Sequence, residues 1–189
     1  MSHIDNRPEK TKYDIKEAFW KLFEEAPVSE ITVTEIARVS GYSRYTFYKY
    51  FRDVYDVLEQ IEEDILRETD KAYMSVFESF RSGQKYPTVD DIVKASLKVA
   101  ELQKKVLPVL FGKNGDPLFH DKMRSHYSSY LRAYFPGLLD DDSMETRIMV
   151  EFYTGGIISA LSFLGRHVNE LTWEEVLEVI YRKFGLECR

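Results

Sequence analysis

Apolar residues recur along this chain at intervals of three and four and nowhere in sustained alternation, so the pattern predicts helices throughout. Between Thr11 and Phe23, the residues Ile15, Ala18, Phe19, Leu22 and Phe23 fall at i, i+3, i+4, i+7 and i+8. They form the apolar wall of an amphipathic helix that Pro27 stops. From Thr32 to Phe51 the run TVTEIARVSGYSRYTFYKYF reads as two short helices about a tight turn. Thr32 and Glu35 have the T-x-x-E spacing of a capping box, with Ile31 and Ile36 placed as its hydrophobic staple. Ile36, Ala37 and Val39 supply the apolar side, and Gly41 stands where a left-handed residue ends a helix. Ser43 is the expected N-cap of the second helix, in which Phe47 and Phe51, four apart, face inward. Ile36, Val39, Phe47 and Phe51 together with the first helix predict a small three-helix core.

After Asp53, a candidate cap, Val54, Leu58, Ile61, Ile65 and Leu66 mark the inner side of a long helix to about Phe80. Gly83 and Pro87 place a loop at Arg81 to Thr88, followed by a helix from Thr88 to about Lys104. Pro108 is expected to interrupt the apolar VLPVLF run, and GKNGDP, Gly112 to Pro117, is a second loop. Leu118 to Tyr134 reads as a helix with Met123, Tyr127, Tyr130, Leu131 and Tyr134, and PGLLDDD, Pro136 to Asp142, separates it from a final pair. The first of that pair, Met144 to His167, is largely apolar and carries Gly155, Gly156, Ser159, Ala160 and Ser162. Asn169 to Thr172 turns the chain into the second, Trp173 to Phe184. The fold class is all-α. A helix-turn-helix domain is expected over residues 1–52, and a larger helical domain, entered through the long helix near residue 53, over 53–189.

Two short helices about such a turn make a helix-turn-helix, whose second helix reads DNA. The polar residues agree. Arg44, Tyr45, Thr46, Tyr48, Lys49 and Tyr50 put hydroxyls, a guanidinium and an ammonium on one short helix, groups that bond phosphate oxygens and base edges. The chain as a whole carries a net charge of −6, against a protein that coats nucleic acid indiscriminately. From Thr32 to Arg52, however, the bases Arg38, Arg44, Lys49 and Arg52 face the single acid Glu35, a local +3. Arg44, Tyr45 and Thr46, at the start of the reading helix, are the expected base readers. Thr32 and Thr34, at the N-terminus of the helix before it, are placed to bond phosphate.

The series IARVSGYSRYTFYKYF, with a long helix behind it, resembles the DNA-binding domain of the TetR family of bacterial transcriptional regulators. In that family a pair like Phe47–Tyr48, then an aromatic or His, then Phe, closes the recognition helix. The close match covers roughly Ile15 to Leu66, and beyond it the resemblance is one of architecture. It implies a DNA site built from Thr32, Thr34, Ser43, Arg44, Tyr45, Thr46, Tyr48, Lys49, Tyr50 and Arg52, with Tyr48 on a phosphate. The chain departs from the family where many members carry a phosphate-binding Lys near the start of the fourth helix. Val54, Tyr55 and Asp56 stand there instead, leaving Arg52 or Tyr55 to replace that contact. The resemblance also implies a homodimer on double-stranded DNA with a pseudo-palindromic operator, joined through a four-helix interface. Gly155, Gly156, Ser159, Ala160, Phe163, Trp173, Val176 and Ile180 are its candidates, the small residues permitting close approach. A repressor released by a small-molecule effector is the expected mode of action.

Other chemistry finds little footing. Aromatics of the middle region, Tyr73, Phe77, Phe111, Tyr127, Tyr130 and Phe152, are candidates for an effector cavity, although ordinary core is the plainer reading of each one taken singly. Tyr45 and Lys49 match the Y-x-x-x-K spacing of short-chain dehydrogenases, but neither a parallel sheet nor a Gly-rich loop accompanies it, and the match is assigned to chance. The four histidines are scattered and Cys188 is the one cysteine. No metal, no cofactor and no catalytic function is therefore expected. No run of about 18 apolar residues appears, which together with the lone cysteine predicts a cytoplasmic protein outside the membrane. The reading from a different class is a helical adaptor with a degenerate head that binds a protein partner.

Overall fold

The structure, a computed structural model, describes residues 7–81, 105–134, 143–167, 170–172, 174–176 and 178–179. The loop expected at 81–88, the helix at 88–104, the PGLLDDD stretch and most of the final helix lie outside the described residues, as do the side chains of Phe77, Tyr130, Trp173 and Ile180. Every regular element among the described residues is helical. The chain divides into two compact units, Met1–Asp64 and Ile65–Arg189.

In the first unit, α1 (Arg7–Phe23) buries Ile15, Ala18, Phe19 and Phe23. It ends four residues before Pro27, and a short 3-10 turn, Val28–Glu30, which the periodicity did not announce, follows that proline. Helices α2 (Val33–Ser40) and α3 (Arg44–Tyr50) come next, and the long α4 (Val54–Arg81) begins inside this unit. The core gathers Ile15, Phe19 and Phe23 of α1 with Ile36, Phe47, Phe51 and Val57, each at most 2% exposed. Phe19 and Phe23 stack with centroids 5.4 Å apart, and Phe47 and Phe51 lie 5.6 Å apart. Val39 departs from its expected core place: it lies off the Ile36 stripe and is 36% exposed. Lys16 ties α1 to α4, its ammonium 2.6 Å from Asp64 and 3.2 Å from the Gln60 carbonyl.

In the second unit, α5 (Leu107–Leu110) and α6 (Pro117–Tyr134) both pack on α7 (Met144–Arg166). Pro108 does not break the apolar run as expected. It sits in the first turn of α5, where the missing N–H has no helical partner to lose, and Leu107 and Leu110 are buried. Helix α7 turns Val150, Thr154, Ile158 and Leu161 inward, and the Thr154 hydroxyl donates to the Val150 carbonyl at 2.7 Å. Residues 144–164 are long and apolar enough, by length and composition, to cross a membrane, with a mean hydropathy of 1.2. The sequence still holds no unbroken apolar run of that length there, because Glu145, Arg147 and Glu151 and several Gly, Ser and Thr residues interrupt it. Thr172 caps the last described helical turns: its hydroxyl accepts from Glu175 N at 3.3 Å and Glu175 returns a bond to Thr172 N at 2.8 Å.

Candidate nucleic-acid interface

Local bonds hold the helix-turn-helix open for α3. At the start of α2, Thr32 Oγ1 accepts from Glu35 N at 3.3 Å, while Glu35 Oε2 accepts from Thr32 N at 2.9 Å and from its hydroxyl at 2.7 Å. This closes the capping box, and the bonds from the Thr32 side chain and backbone hold the Glu35 carboxyl below its ordinary value. Ile31 and Ile36, the staple pair, are both buried. Gly41 ends α2 at φ +76°, the left-handed region. A Cβ there meets nothing within 4 Å, so the requirement for glycine is conformational and not steric crowding.

Ser43 then opens α3, its Oγ accepting from Thr46 N at 3.1 Å and lying 3.0 Å from the Thr46 hydroxyl. Between these two caps, the Tyr42 phenol donates to Asp14 Oδ2 at 2.9 Å. Lys10 donates to the same oxygen at 2.8 Å. Bonds from Lys10 and then Tyr42 hold the Asp14 carboxyl below its ordinary range. The turn is thereby fastened to α1.

With Phe47 directed into the core, the opposite side of α3 faces solvent. Arg44, Tyr45, Tyr48 and Lys49 are all exposed, Tyr45 at 83% and Tyr48 at 52%. At ~100° per residue these four span an arc of about 140°. Thr46 is half-buried beyond one edge of that arc, and the half-buried Tyr50 lies on the side of α3 turned away from it. Tyr48 packs edge-on against Phe47, centroids 5.5 Å apart, which limits its ring, and the Lys49 ammonium lies 5.7 Å from the Tyr50 ring centroid. Thr34 is exposed on the first turn of α2, whereas the Thr32 hydroxyl gives its proton to Glu35.

Arg52 differs from the open cation that composition suggested. Its Nη2 lies 3.2 Å from both Asp56 Oδ1 and Glu59 Oε2, and its backbone N–H donates to Asp56 Oδ2 at 2.7 Å. Asp56 is nearly buried. Burial favours its neutral form, but bonds from the Arg52 backbone, the Arg52 side chain and Gln60 outweigh that and leave its pKa lowered. Neither Asp56 nor the Asp14–Tyr42 pair was singled out from sequence. Asp53-x-x-Asp56 has capping spacing that could have flagged the first, whereas the second joins residues far apart in the chain.

Of the candidate pocket residues, the structure describes the side chains of Tyr73, Phe111, Tyr127 and Phe152. Tyr73 and Tyr127 are buried and meet edge-on, centroids 6.2 Å apart. Phe111 is buried against Phe119 and His120. Phe152, by contrast, is 61% exposed, so it lines no interior cavity among the described residues. A cleft of about 680 Å³ does open over Leu66, Leu118, Lys122, Ser125 and His126, none of them a residue the sequence nominated. His126 Nε2 lies 3.0 Å from Asp70 Oδ1.

The outer side of α7 carries Met144, Ile148, Phe152 and Phe163, each at least 44% exposed. Gly156 and Ser159 are exposed along the same side, and Gly155 and Ala160 are half-exposed. No described neighbour comes within 4 Å of a Cβ built on Gly155 or Gly156. Val176 is half-buried.

No family model matches the chain, and no curated protein matches it in sequence. Solved structures do match in fold. A TetR transcriptional regulator from Streptococcus agalactiae 2603V superposes with a TM-score of 0.65 at 23% identity, covering 97% of each chain. The dihydroxyacetone kinase operon activator DhaS matches at 0.57 and 15% identity, over 93% of each chain. A gamma-butyrolactone receptor, an ArpA-like protein, matches at 0.57 and 15%, over 94% of this chain and 98% of that one. The fold is TetR-like: helical throughout its described residues and matched over nearly its whole length.

Proposed function

We propose that this chain is a sequence-specific, DNA-binding transcriptional regulator of the TetR kind, a cytoplasmic homodimer that represses until a small-molecule effector releases it. One observation carries this reading: the short α3, capped at Ser43 and anchored by Phe47, turns Arg44, Tyr45, Tyr48 and Lys49 outward together. Arg44, Tyr45 and Thr46, at the helix N-terminus, read base edges in the major groove, while Tyr48, Lys49 and Thr34 bond phosphates. Ser43 borders that surface, whereas Tyr50 lies on the other side of α3. The reading head comprises residues 1–52, and α4 leads from it into the regulatory and dimerisation region, 53–189.

The dimer is proposed to form through the outer side of α7 with the helix that follows Thr172, where exposed Ile148, Phe152 and Phe163 would be covered. Two heads then meet successive major grooves, about 34–36 Å apart, of a pseudo-palindromic site. An effector that prefers a different spacing of the heads lowers DNA affinity by shifting the population. A TetR-like fold also serves an operon activator, so the direction of regulation is read from a reporter. Repression predicts that its expression rises when the gene is deleted.

Selection of genomic fragments by the purified protein tests the reading. A shared inverted repeat, bound more weakly as salt rises, is the expected result. A second reading, a helical adaptor for a protein partner, is favoured by the pairing of Arg52 with Asp56 and Glu59. Heparin separates the two, since an adaptor flows through at low salt.

A further inference from the structure

We propose that Asp56 is a positioning residue for the reading helix, which it holds to α4 while cancelling the charge of Arg52, and that it thereby raises discrimination between DNA sequences. The inference rests on the DNA-binding reading above. Only Phe51, Arg52 and Asp53 connect α3 to α4. Both oxygens of Asp56 act on that link. Oδ2 accepts the Arg52 backbone N–H at 2.7 Å; Oδ1 accepts the Arg52 guanidinium at 3.2 Å and the Gln60 amide at 3.3 Å. The backbone N–H of Asp56 is in turn bonded to Asp53 Oδ1 at 2.8 Å. The Arg52 guanidinium is exposed and its ion pairs are screened by solvent, so the anchor is the Arg52 backbone N–H, whose bond to a nearly buried carboxylate is costly to open.

The same geometry decides the charge of this corner. Arg52 faces Asp56 and Glu59 at 3.2 Å each, so the cation next to the reading helix is compensated twice. Phosphate attraction is blind to sequence. Holding it down at the C-terminal end of α3 leaves a larger share of the affinity to the base contacts of Arg44, Tyr45 and Thr46.

The two roles respond differently to substitution. Asp56→Ala removes the anchor and uncovers Arg52. Asp56→Asn keeps one oxygen for the Arg52 backbone N–H but loses the ion pair. Glu59→Gln touches only the charge. Each full-length variant is titrated against a duplex selected by the wild-type protein and an unrelated duplex of equal length, with thermal melts alongside. For Asp56→Ala, affinity for the selected duplex should fall about tenfold while affinity for the unrelated one rises roughly two- to threefold. Asp56→Asn and Glu59→Gln should gain on the unrelated duplex but keep most of the affinity for the selected one. A simple loss of fold lowers both affinities in proportion. If all three variants keep the wild-type ratio of the two affinities, the positioning role is wrong although DNA binding stands. If the wild-type protein does not discriminate at all, the DNA-binding reading falls with it.

Discussion

The Tyr42 phenol donates to Asp14 Oδ2 across 2.9 Å and so pins the turn of the helix-turn-helix to α1. Tyr42 sits between the C-cap of α2 and the N-cap of α3, so the bond bears on the angle at which α3 leaves the turn. Tyr42→Phe and Asp14→Ala should each lower the melting temperature modestly, and the double variant by no more than the larger single effect. Asp14→Asn, which keeps an acceptor for the phenol, should sit nearer to wild type. Additive losses in a double-mutant cycle would contradict a direct bond.

Gly41 offers a conformational test free of packing. With φ at +76° and open space around its Cβ position, Gly41→Ala meets no neighbour yet must hold a left-handed backbone. It should destabilise the chain by about 1–2 kcal/mol in urea unfolding. Gly41→Asn should cost less, because asparagine tolerates that region. Ser43→Ala removes the acceptor for Thr46 N and should cost about 1 kcal/mol on the same measurement.

His126 predicts a pH dependence. Burial holds its imidazole below the ordinary value, against a smaller opposing pull from Asp70. A histidine with a folded pKa below its unfolded one stays neutral in the folded chain after the unfolded chain has begun to take up the proton. Its contribution to stability is therefore full above ~6.5 and diminishes as pH falls through that value. Unfolding at about pH 8 and about pH 5.5 should show lower stability at the acid end, and His126→Gln should flatten the difference. An unchanged slope in that variant would assign the effect elsewhere.

The outer side of α7 predicts an assembly. Ile148→Glu or Phe152→Lys places a charge on an exposed apolar surface of the isolated chain, so neither should unfold it. In light scattering the wild-type protein should weigh twice the 22.3 kDa chain and the variants one chain mass. A wild-type protein of one chain mass would contradict the proposed dimer.

What was legible in the sequence was whatever depends on spacing along it. The Thr32–Glu35 box, the left-handed Gly41 and the Ser43 cap join residues no more than four apart, and all three stand as expected. The inward Phe47 and outward Tyr48 follow from the same periodicity. Contacts such as Tyr42 with Asp14 and Lys16 with Asp64 were not legible, because 28 and 48 residues separate the partners and only packing brings them together. Phe152 shows the limit of hydrophobicity as a guide. An aromatic on α7 suits a cavity or a surface equally, and its turn of the helix puts it outside. The pairing of Arg52 is not visible in the composition of the helix-turn-helix, because its acids at i+4 and i+7 belong to the next helix.

The most direct test of the reading surface compares Arg44→Ala with Lys49→Ala on one selected duplex and on a set carrying single base-pair changes. Fluorescence anisotropy at fixed salt gives each affinity. Lys49→Ala should weaken binding to every duplex alike and make the dependence on salt shallower by about one charge. Arg44→Ala should lose about 1–3 kcal/mol on the selected duplex and cease to discriminate at one position of the half-site. Wild-type affinities from both variants, on a duplex that the wild-type protein does bind, would show that the outward side of α3 is not where DNA is read.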